Sequence, residues 1–181
     1  MNTKLVSRVS KSIPVLIISL FFYFGTLAQG FEGYYRTPAL FENTIVFAAE
    51  GDLWSVSLNG GLAQRLTTHP EEEMFPAISP DGKTIAFSAS YEGPTELYTI
   101  PINGGLPTRW TYERDASIAD AWTPDGKVVY NTRAYSKVPD NQLITIDLDS
   151  KQKVRIPLSQ ASEASSDTTG KTVFFVRPAD H

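Results

Sequence analysis

Residues 75–87 read Phe-Pro-Ala-Ile-Ser-Pro-Asp-Gly-Lys-Thr-Ile-Ala-Phe, and the rest of the chain contains related copies of this stretch. Residues 121–130 read Ala-Trp-Thr-Pro-Asp-Gly-Lys-Val-Val-Tyr, and residues 166–175 read Ser-Asp-Thr-Thr-Gly-Lys-Thr-Val-Phe-Phe. The glycines of the three copies, Gly82, Gly126 and Gly170, follow one another at intervals of 44 residues. A period in this range is typical of repeat architectures.

Each copy predicts a strand, a tight turn and a second strand. Pro80 fixes φ at the first central position of the turn, Asp81 suits the second, and Gly82 takes the left-handed conformation without steric cost. Short β-branched and aromatic runs alternate with small or polar residues on both sides, as in half-buried strands. Asp81, Asp125 and Asp167 are therefore predicted to shape turns rather than to catalyse a reaction or bind a metal.

The repeating unit is predicted to contain four short strands. In the first unit they cover residues 35–40, 44–49, 53–57 and 63–67, with an Asn-Gly-Gly hairpin turn at residues 59–61. The second unit repeats this order after 44 residues, and the offset of the third grows to 46 because one loop is longer. The predicted blades are residues 34–70, 71–113, 114–159 and an incomplete one at 160–181.

Such units, without any helical period, predict an all-β fold: a β-propeller of four-stranded antiparallel blades. A β-sandwich is the alternative, although it does not require repeated sequence. The unit length and the hairpin turns exclude a β-helix. Propellers have about 4–8 blades, so roughly three and a half blades form an incomplete ring. Because an open ring leaves two apolar faces in water, the isolated chain is expected to aggregate or self-associate.

Residues 1–28 are predicted to be a secretory signal peptide, which leaves the partial propeller in residues 29–181. Three basic residues precede an apolar run over residues 13–24, and Gly-Thr-Leu-Ala28 supplies the small residues of a cleavage site. The apolar run is shorter than the ~20 residues of a membrane span, which disfavours an uncleaved anchor. Cleavage after Ala28 predicts a periplasmic or extracellular protein that has no contact with the membrane.

Composition narrows the classes of partner and chemistry. The chain has no cysteine, so disulfides, thiolate nucleophiles, cysteine metal sites and a lipid anchor are excluded. Loss of the signal peptide leaves 13 basic and 20 acidic residues, a net charge of −7. This acidity disfavours nucleic acid and anionic membranes and suits cationic or neutral ligands.

The sequence contains few candidates for catalysis. Its two histidines are His69, in an inter-blade connection, and the terminal His181, and no Gly-x-Ser-x-Gly elbow accompanies them. His69 is followed by residues 71–73, three glutamates whose spacing matches no metal motif and predicts a solvated acidic loop. The Asn-Gly-Gly turns lead into strands, so they are not phosphate loops. We therefore predict no catalytic, cofactor-binding or metal-binding residue, and no cofactor.

Aromatic residues are predicted to serve packing. Trp54, Tyr98 and Ile144 occupy equivalent positions on the third strand of each unit, which favours contacts between blades. Phe75 and Trp122 flank the first strand of their blades. For both residues, packing between blades is favoured over exposure to the channel.

The repeats, with Glu-Leu-Tyr-Thr-Ile at residues 96–100 and the Asn-Gly-Gly turns, resemble the propeller repeats of TolB and related families. A narrower resemblance covers residues 33–178. The stretches that carry it are Gly-Tyr-Tyr-Arg-Thr-Pro-Ala-Leu at 33–40, Ile-Val-Phe at 45–47, Glu-Gly-Asp-Leu-Trp at 50–54, Arg-Leu-Thr at 65–67, Ile-Pro-Leu-Ser at 156–159 and Phe-Phe at 174–175. They resemble the opening of the N-terminal propeller of tricorn-type serine peptidases.

The tricorn resemblance implies a six-bladed propeller that precedes a seven-bladed propeller, a PDZ domain and serine-peptidase domains. It implies that the first propeller filters or guides peptides, while the catalytic serine and histidine lie in later domains. No position here matches their motifs. The chain departs from the family by ending within a fourth blade and by its secretory signal, since the archetype is cytoplasmic.

Three interpretations follow. The first is a non-catalytic, substrate-handling propeller portion of a tricorn-like peptidase, whose partners are peptides or other protein segments and downstream peptidase domains or other protomers. The second is a TolB-like periplasmic binding or scaffold module. The third is a gene fragment without a function of its own.

Overall fold

A computed structural model describes residues 34–158, 160–167 and 169–177. All regular elements in this part of the chain are β-strands, and none of its segments is a helix long and apolar enough to cross a membrane. The predicted signal peptide and His181 lie outside the described residues.

The strands form four antiparallel sheets, which we call blades I to IV. In each sheet the strands are neighbours in chain order. Blade I contains β1 (Arg36–Phe41), β2 (Thr44–Ala49), β3 (Asp52–Ser57) and β4 (Gln64–Arg65). Blade II contains β5 (Glu73–Ile78), β6 (Thr84–Ala89), β7 (Glu96–Pro101) and β8 (Thr108–Arg109). Blade III contains β9 (Ser117–Trp122), β10 (Val128–Thr132), β11 (Gln142–Ile146) and β12 (Lys153–Arg155), and blade IV contains β13 (Ser162–Ser166) and β14 (Val173–Val176).

This arrangement confirms the predicted all-β fold of four-stranded antiparallel blades in an open, incomplete propeller. The fourth strand of blade I is shorter than predicted: the sequence predicts residues 63–67, and the structure has Gln64–Arg65. Gln64 and Arg65 pair with Ser55 and Trp54 of β3, and beyond them the amide of Leu66 donates to the carbonyl of Leu53 at 2.8 Å.

The three copies of the repeat form the tight turns that their sequences predict. The amide of Gly82 donates to the carbonyl of Ser79 at 2.9 Å, and its φ of 70° places it in the left-handed region. Gly126 has the same bond to Thr123 at 2.9 Å, with a φ of 84°. The repeated glycine is therefore required by backbone geometry, because other residues are strained at this φ.

The hydrophobic core lies between the blades, in three separate clusters. Blades I and II enclose the first, which includes Val46, Leu53, Ile85, Phe87 and Tyr98. Blades II and III enclose the second, with Ala86, Leu97, Ala119, Tyr130 and Ile144 among its members. Blades III and IV enclose the third, which contains Val129, Leu143, Ala161 and Ala164. Each blade is thus stabilised by apolar burial against its neighbours.

Backbone hydrogen bonds fasten each blade to the one before it at the start of its innermost strand. The amide of Glu73 donates to the carbonyl of Gly51 at 2.9 Å, at what we call the first junction, between blades I and II. At the second junction, between blades II and III, the amide of Ser117 donates to Thr95 at 2.8 Å. The same backbone frame is therefore reused with different side chains.

Candidate functional site

A cleft of about 420 Å³ lies at the first junction. Residues 66–70, the connection between blades I and II, form one wall. Blade II forms the other with Tyr91, Glu92, Tyr98, Arg109 and the loop at 105–107, and Glu73 lies at the base of the inner strand. A cleft of this size suits a small ligand or one or two amino-acid side chains.

Glu73 is the most buried charged group of the cleft, with a relative exposure of 0 %. One carboxylate oxygen accepts hydrogen bonds from the hydroxyl of Thr67 and, at 3.2 Å, from the amide of Leu53. The other accepts from the hydroxyl of Tyr91. Since Thr67 and Leu53 belong to blade I, this side chain ties the two blades together.

Burial shifts the protonation equilibria of this network. Desolvation raises the pKa of Glu73 above its ordinary value, although the hydrogen bonds from Thr67, Tyr91 and Leu53 act in the opposite direction. Desolvation and the adjacent Glu73 also raise the pKa of Tyr91, so its hydroxyl stays a donor. In this network the hydroxyl of Tyr91 therefore remains the donor and the carboxyl of Glu73 the acceptor.

Aromatic rings line the cleft. The ring of His69 lies 3.9 Å from that of Tyr91, and Tyr91 lies 4.6 Å from Tyr98, measured between centroids. The amide of Glu71 donates to Nδ1 of His69 at 3.1 Å, which fixes the imidazole as an acceptor at that nitrogen. Leu106 adds an apolar side chain that is 90 % exposed.

Arg109 supplies the guanidinium of the cleft, and two carboxylates already pair with it. One terminal nitrogen donates to Glu92 at 2.8 Å and the other to Glu96 at 3.2 Å. Its Nε donates to the carbonyl of Thr111 at 2.9 Å, and its guanidinium carbon lies 4.4 Å from the ring of Tyr112. With these contacts made, Arg109 has little capacity left to neutralise Glu73 or attract an anion.

Two buried polar atoms, one on a residue that lines the cleft and one on a residue bonded to Arg109, have no hydrogen-bond partner among the described residues. They are the hydroxyl of Tyr98, whose side chain is 4 % exposed, and Oε2 of Glu96, which is 1 % exposed. Buried polar groups are almost always paired, so each such atom calls for an explanation.

The pairing of the fourth-strand arginine with the first residue of the third strand also occurs in blades I and III, with an acid in blade I and an amide in blade III. Asp52 pairs with Arg65 in blade I, and Oε1 of Gln142 accepts from Arg155 at 3.4 Å in blade III. A pair between the third and fourth strands is therefore part of the repeat. The feature particular to the first junction is the fully buried Glu73 at the start of its inner strand.

The repeat aspartates occupy turns, as the sequence predicts. Asp81 accepts from the hydroxyl of Ser79 at 2.6 Å and from the amide of Lys83 at 3.1 Å. Asp167 accepts from the hydroxyl of Thr169 at 2.9 Å. Hydrogen bonds to the charged form lower the pKa of both carboxyls, as expected for turn acceptors.

The prediction of a solvated loop at residues 71–73 is wrong for Glu73. Glu71 and Glu72 are exposed, whereas Glu73 begins β5 and turns into the first junction. His69 lies in the inter-blade connection, as predicted, and no cluster of three potential metal ligands occurs in residues 34–158, 160–167 and 169–177. No local pattern in the sequence indicates the convergence of Glu73 with Thr67 and Tyr91, because the three are separated along the chain.

The predicted packing roles of the aromatic residues are confirmed for Tyr98 and Trp122. Tyr98 belongs to the core between blades I and II. The indole of Trp122 packs against the second core and donates to the carbonyl of Ala77, in blade II, at 2.9 Å. The prediction is wrong for Phe75, which remains 36 % exposed at the bulge of β5, where its φ is 56°.

Comparisons with known proteins give a family match over the propeller. The model of the tricorn protease N-terminal beta propeller domain matches residues 32–181. Tricorn protease homolog 1 of Streptomyces coelicolor is 33% identical over 72 residues, which are 40% of this chain and 7% of that protein. The chain spans at most about a third of the curated relatives it matches.

Solved structures show the same fold. TolB from Acinetobacter baumannii is similar with a TM-score of 0.66 and 19% identity, over 81% of this chain and 38% of that one. The tricorn protease is similar with a TM-score of 0.64 and 21% identity, over 75% of this chain and 14% of that one. At these identities, the likeness concerns the architecture alone.

Proposed function

Because the chain belongs to the family of tricorn protease N-terminal β-propeller domains, we propose that it supplies part of the propeller of a tricorn-like serine peptidase. In this proposal it handles peptides and does not cut them. Catalysis belongs to peptidase domains outside this sequence. The observation that carries the proposal is the family match, which extends over every blade of the structure.

The surface at both ends of the row of blades supports further sheets as partners. In blade I, Tyr35 and Phe47 form an edge-to-face pair that lines an apolar groove with Ile45 and Val56. In blade IV, all four residues of β14 are exposed and apolar. Apolar faces of this kind are covered by neighbouring blades in propellers, so we propose that further blades or protomers pack here.

The amino-terminal segment supports a location across the inner membrane. In this proposal, residues 1–28 direct secretion and are removed, so the propeller acts in the periplasm or outside the cell. The expected mature amino terminus is Gln29. Amino-terminal sequencing of the protein from fractionated source cells tests this, and recovery of Met1 in the cytoplasmic fraction would contradict it.

The main proposal is tested by the intact mass of the native protein in its source cells. An antibody against blade II captures the protein, and mass spectrometry compares it with the 20.0 kDa of this sequence. A much heavier species that cleaves peptides and is blocked by a serine-directed inhibitor supports the proposal. A species slightly lighter than 20.0 kDa without peptidase activity contradicts it and favours the TolB-like binding module. Pre-immune antibody is the control.

A further inference from the structure

We propose that the cleft at the first junction binds a lysine or arginine side chain of a peptide, with the cationic group at Tyr98 and the carboxylates beside it. The proposal rests on the peptide-handling function above and names the chemical class of peptide that the site selects.

Size and lining favour the stem of a long side chain. The cleft of about 420 Å³ is open to one or two side chains and too small for a folded partner. The rings of His69, Tyr91 and Tyr98 line it together with Leu66 and Pro107. Lysine and arginine place an apolar stem against such surfaces while the cationic end seeks polar partners.

The unpaired hydroxyl of Tyr98 offers a partner to a cationic group. Tyr98 lines the cleft, and its hydroxyl is buried without a partner among the described residues. A hydroxyl accepts as well as donates, so an ammonium or guanidinium group can pair with it. A carboxylate could accept from the same hydroxyl, so the choice between a cation and an anion depends on the charge of the cleft.

The charges of the cleft also favour a cation. Glu73 and Glu92 line it, against the single guanidinium of Arg109. Arg109 is held by Glu92 and Glu96, so its charge is compensated within the protein. Aromatic faces attract cations in addition, especially where water is excluded.

The second junction differs in two respects, although its backbone frame is the same. Ser117 stands where Glu73 stands at the first junction, and both begin an inner strand. Glu113, the carboxylate that accepts from the hydroxyl of Tyr135 at this junction, already accepts from Nζ of Lys153 at 2.7 Å. A cation of the chain itself therefore occupies that carboxylate, and the selectivity is expected at the first junction.

The test is peptide binding to the native protein isolated from its source cells, measured by calorimetry. The probes are capped pentapeptides, Ala-Leu-X-Leu-Ala, in which X is lysine, arginine, norleucine or glutamate. The lysine and arginine peptides should bind about 10-fold or more tightly than the norleucine peptide. Tyr98→Phe should weaken the binding of both about 5-fold, and Glu92→Gln about 3-fold.

Matched variants separate the cleft from general effects. Glu71→Gln removes one exposed charge from the same connection, and Tyr135→Phe removes a hydroxyl from blade III, so neither should change affinity. Tyr98→Phe breaks no hydrogen bond of the described residues and should fold like the wild type.

The outcomes distinguish the two proposals. If all four peptides bind equally and Tyr98→Phe has no effect, peptide handling stands, the basic selectivity is overturned, and water alone satisfies the hydroxyl. If no peptide binds, the peptide-handling function itself fails, and the proposal for the cleft fails with it.

Discussion

The first and second junctions share one backbone frame and differ in what they bury. At each, the first residue of the inner strand donates its amide to the preceding blade, Glu73 to Gly51 and Ser117 to Thr95. At each, a threonine hydroxyl accepts from the third strand of that blade: Thr67 from Leu53 and Thr111 from Leu97, both at 2.8 Å. The carboxylate of Glu73 continues this network, whereas the hydroxyl of Ser117 has no partner among the described residues.

This difference shows how a repeat acquires an individual site. The frame is set by backbone hydrogen bonds and threonine, which recur with the period. The side chain of the first inner-strand residue is free to vary, because its backbone already fixes the blade. A single residue therefore decides whether the inner strand begins with a buried carboxylate or with a small hydroxyl.

The largest expected effect comes from removing the carboxylate of the first junction. Glu73→Ala should lower the free energy of unfolding by about 2–4 kcal/mol, because it leaves the buried hydroxyls of Thr67 and Tyr91 without their acceptor. Ser117→Ala should cost less than about 0.5 kcal/mol. Denaturant unfolding of the full chain measures both, and equal losses would contradict the contrast between the junctions.

Asp120 carries a carboxyl between blades III and IV, and this group should make the folding stability depend on pH. Burial raises the pKa of Asp120 from 3.8 to about 7, against the hydrogen bond from Asn131 and those from the amides of Ala164 and Glu163. The folded state therefore holds a proton that the unfolded state has released, and stability falls as pH rises from about 4 to about 7. Asp120→Asn should remove this dependence and gain about 1–3 kcal/mol at pH 8 relative to wild type.

Unfolding at several pH values tests this expectation, with Asp125→Asn as the control on an exposed turn of the same blade. A slope that persists in Asp120→Asn would place the titrating group elsewhere. Glu73 would be the next candidate, because its raised pKa gives the same sign of dependence.

The turn glycines allow a comparison on the opposite side of the blades. An alanine at Gly82 would be strained by its φ of 70° and would collide with the ring of Phe41 from blade I. An alanine at Gly126 would be strained by its φ of 84° but would meet open space. Gly82→Ala should cost about 2 kcal/mol and Gly126→Ala about 1 kcal/mol. Equal changes in thermal midpoint would mean that Phe41 moves aside without cost.

Replacing either tyrosine of the cleft by phenylalanine should give the smallest change in stability, and the two changes should differ in sign. Tyr91→Phe should destabilise by about 1 kcal/mol, because it removes the donor to Glu73. Tyr98→Phe should be neutral or stabilise by about 0.5 kcal/mol, since its hydroxyl is buried without a partner. Denaturation midpoints of the two variants decide this, and a loss in Tyr98→Phe would reveal a hydrogen bond within the folded chain.

The fold was predictable because its signals are local and repeated. Gly82 and its counterparts require a positive φ, and the runs beside them have strand alternation, so each unit could be identified separately. The fourth strand of blade I is shorter than predicted because residues 63 to 67 all have strand character, whereas only Gln64 and Arg65 form ladder pairs with β3.

The site was not predictable in the same way. Glu73 follows two exposed glutamates, and nothing local distinguishes it from them. Its burial results from the meeting of Thr67 and Leu53 of one blade with Tyr91 of the next. The predicted packing of Phe75 is wrong for a related reason: the bulge in β5 gives this residue a positive φ and leaves its ring partly exposed.

The hydrogen bonds between Glu73 and blade I affect which segments related proteins can exchange by recombination. Recombination that cuts between residues 70 and 71 would transfer an intact sheet but would part this carboxylate from Thr67 and Leu53. A crossover within the outer strands would separate Arg65 from Asp52 in turn. The segment that keeps these side-chain bonds together therefore runs from Asp52, on the third strand of one blade, to Tyr91, just after the second strand of the next, and its bounds do not coincide with those of the sheets.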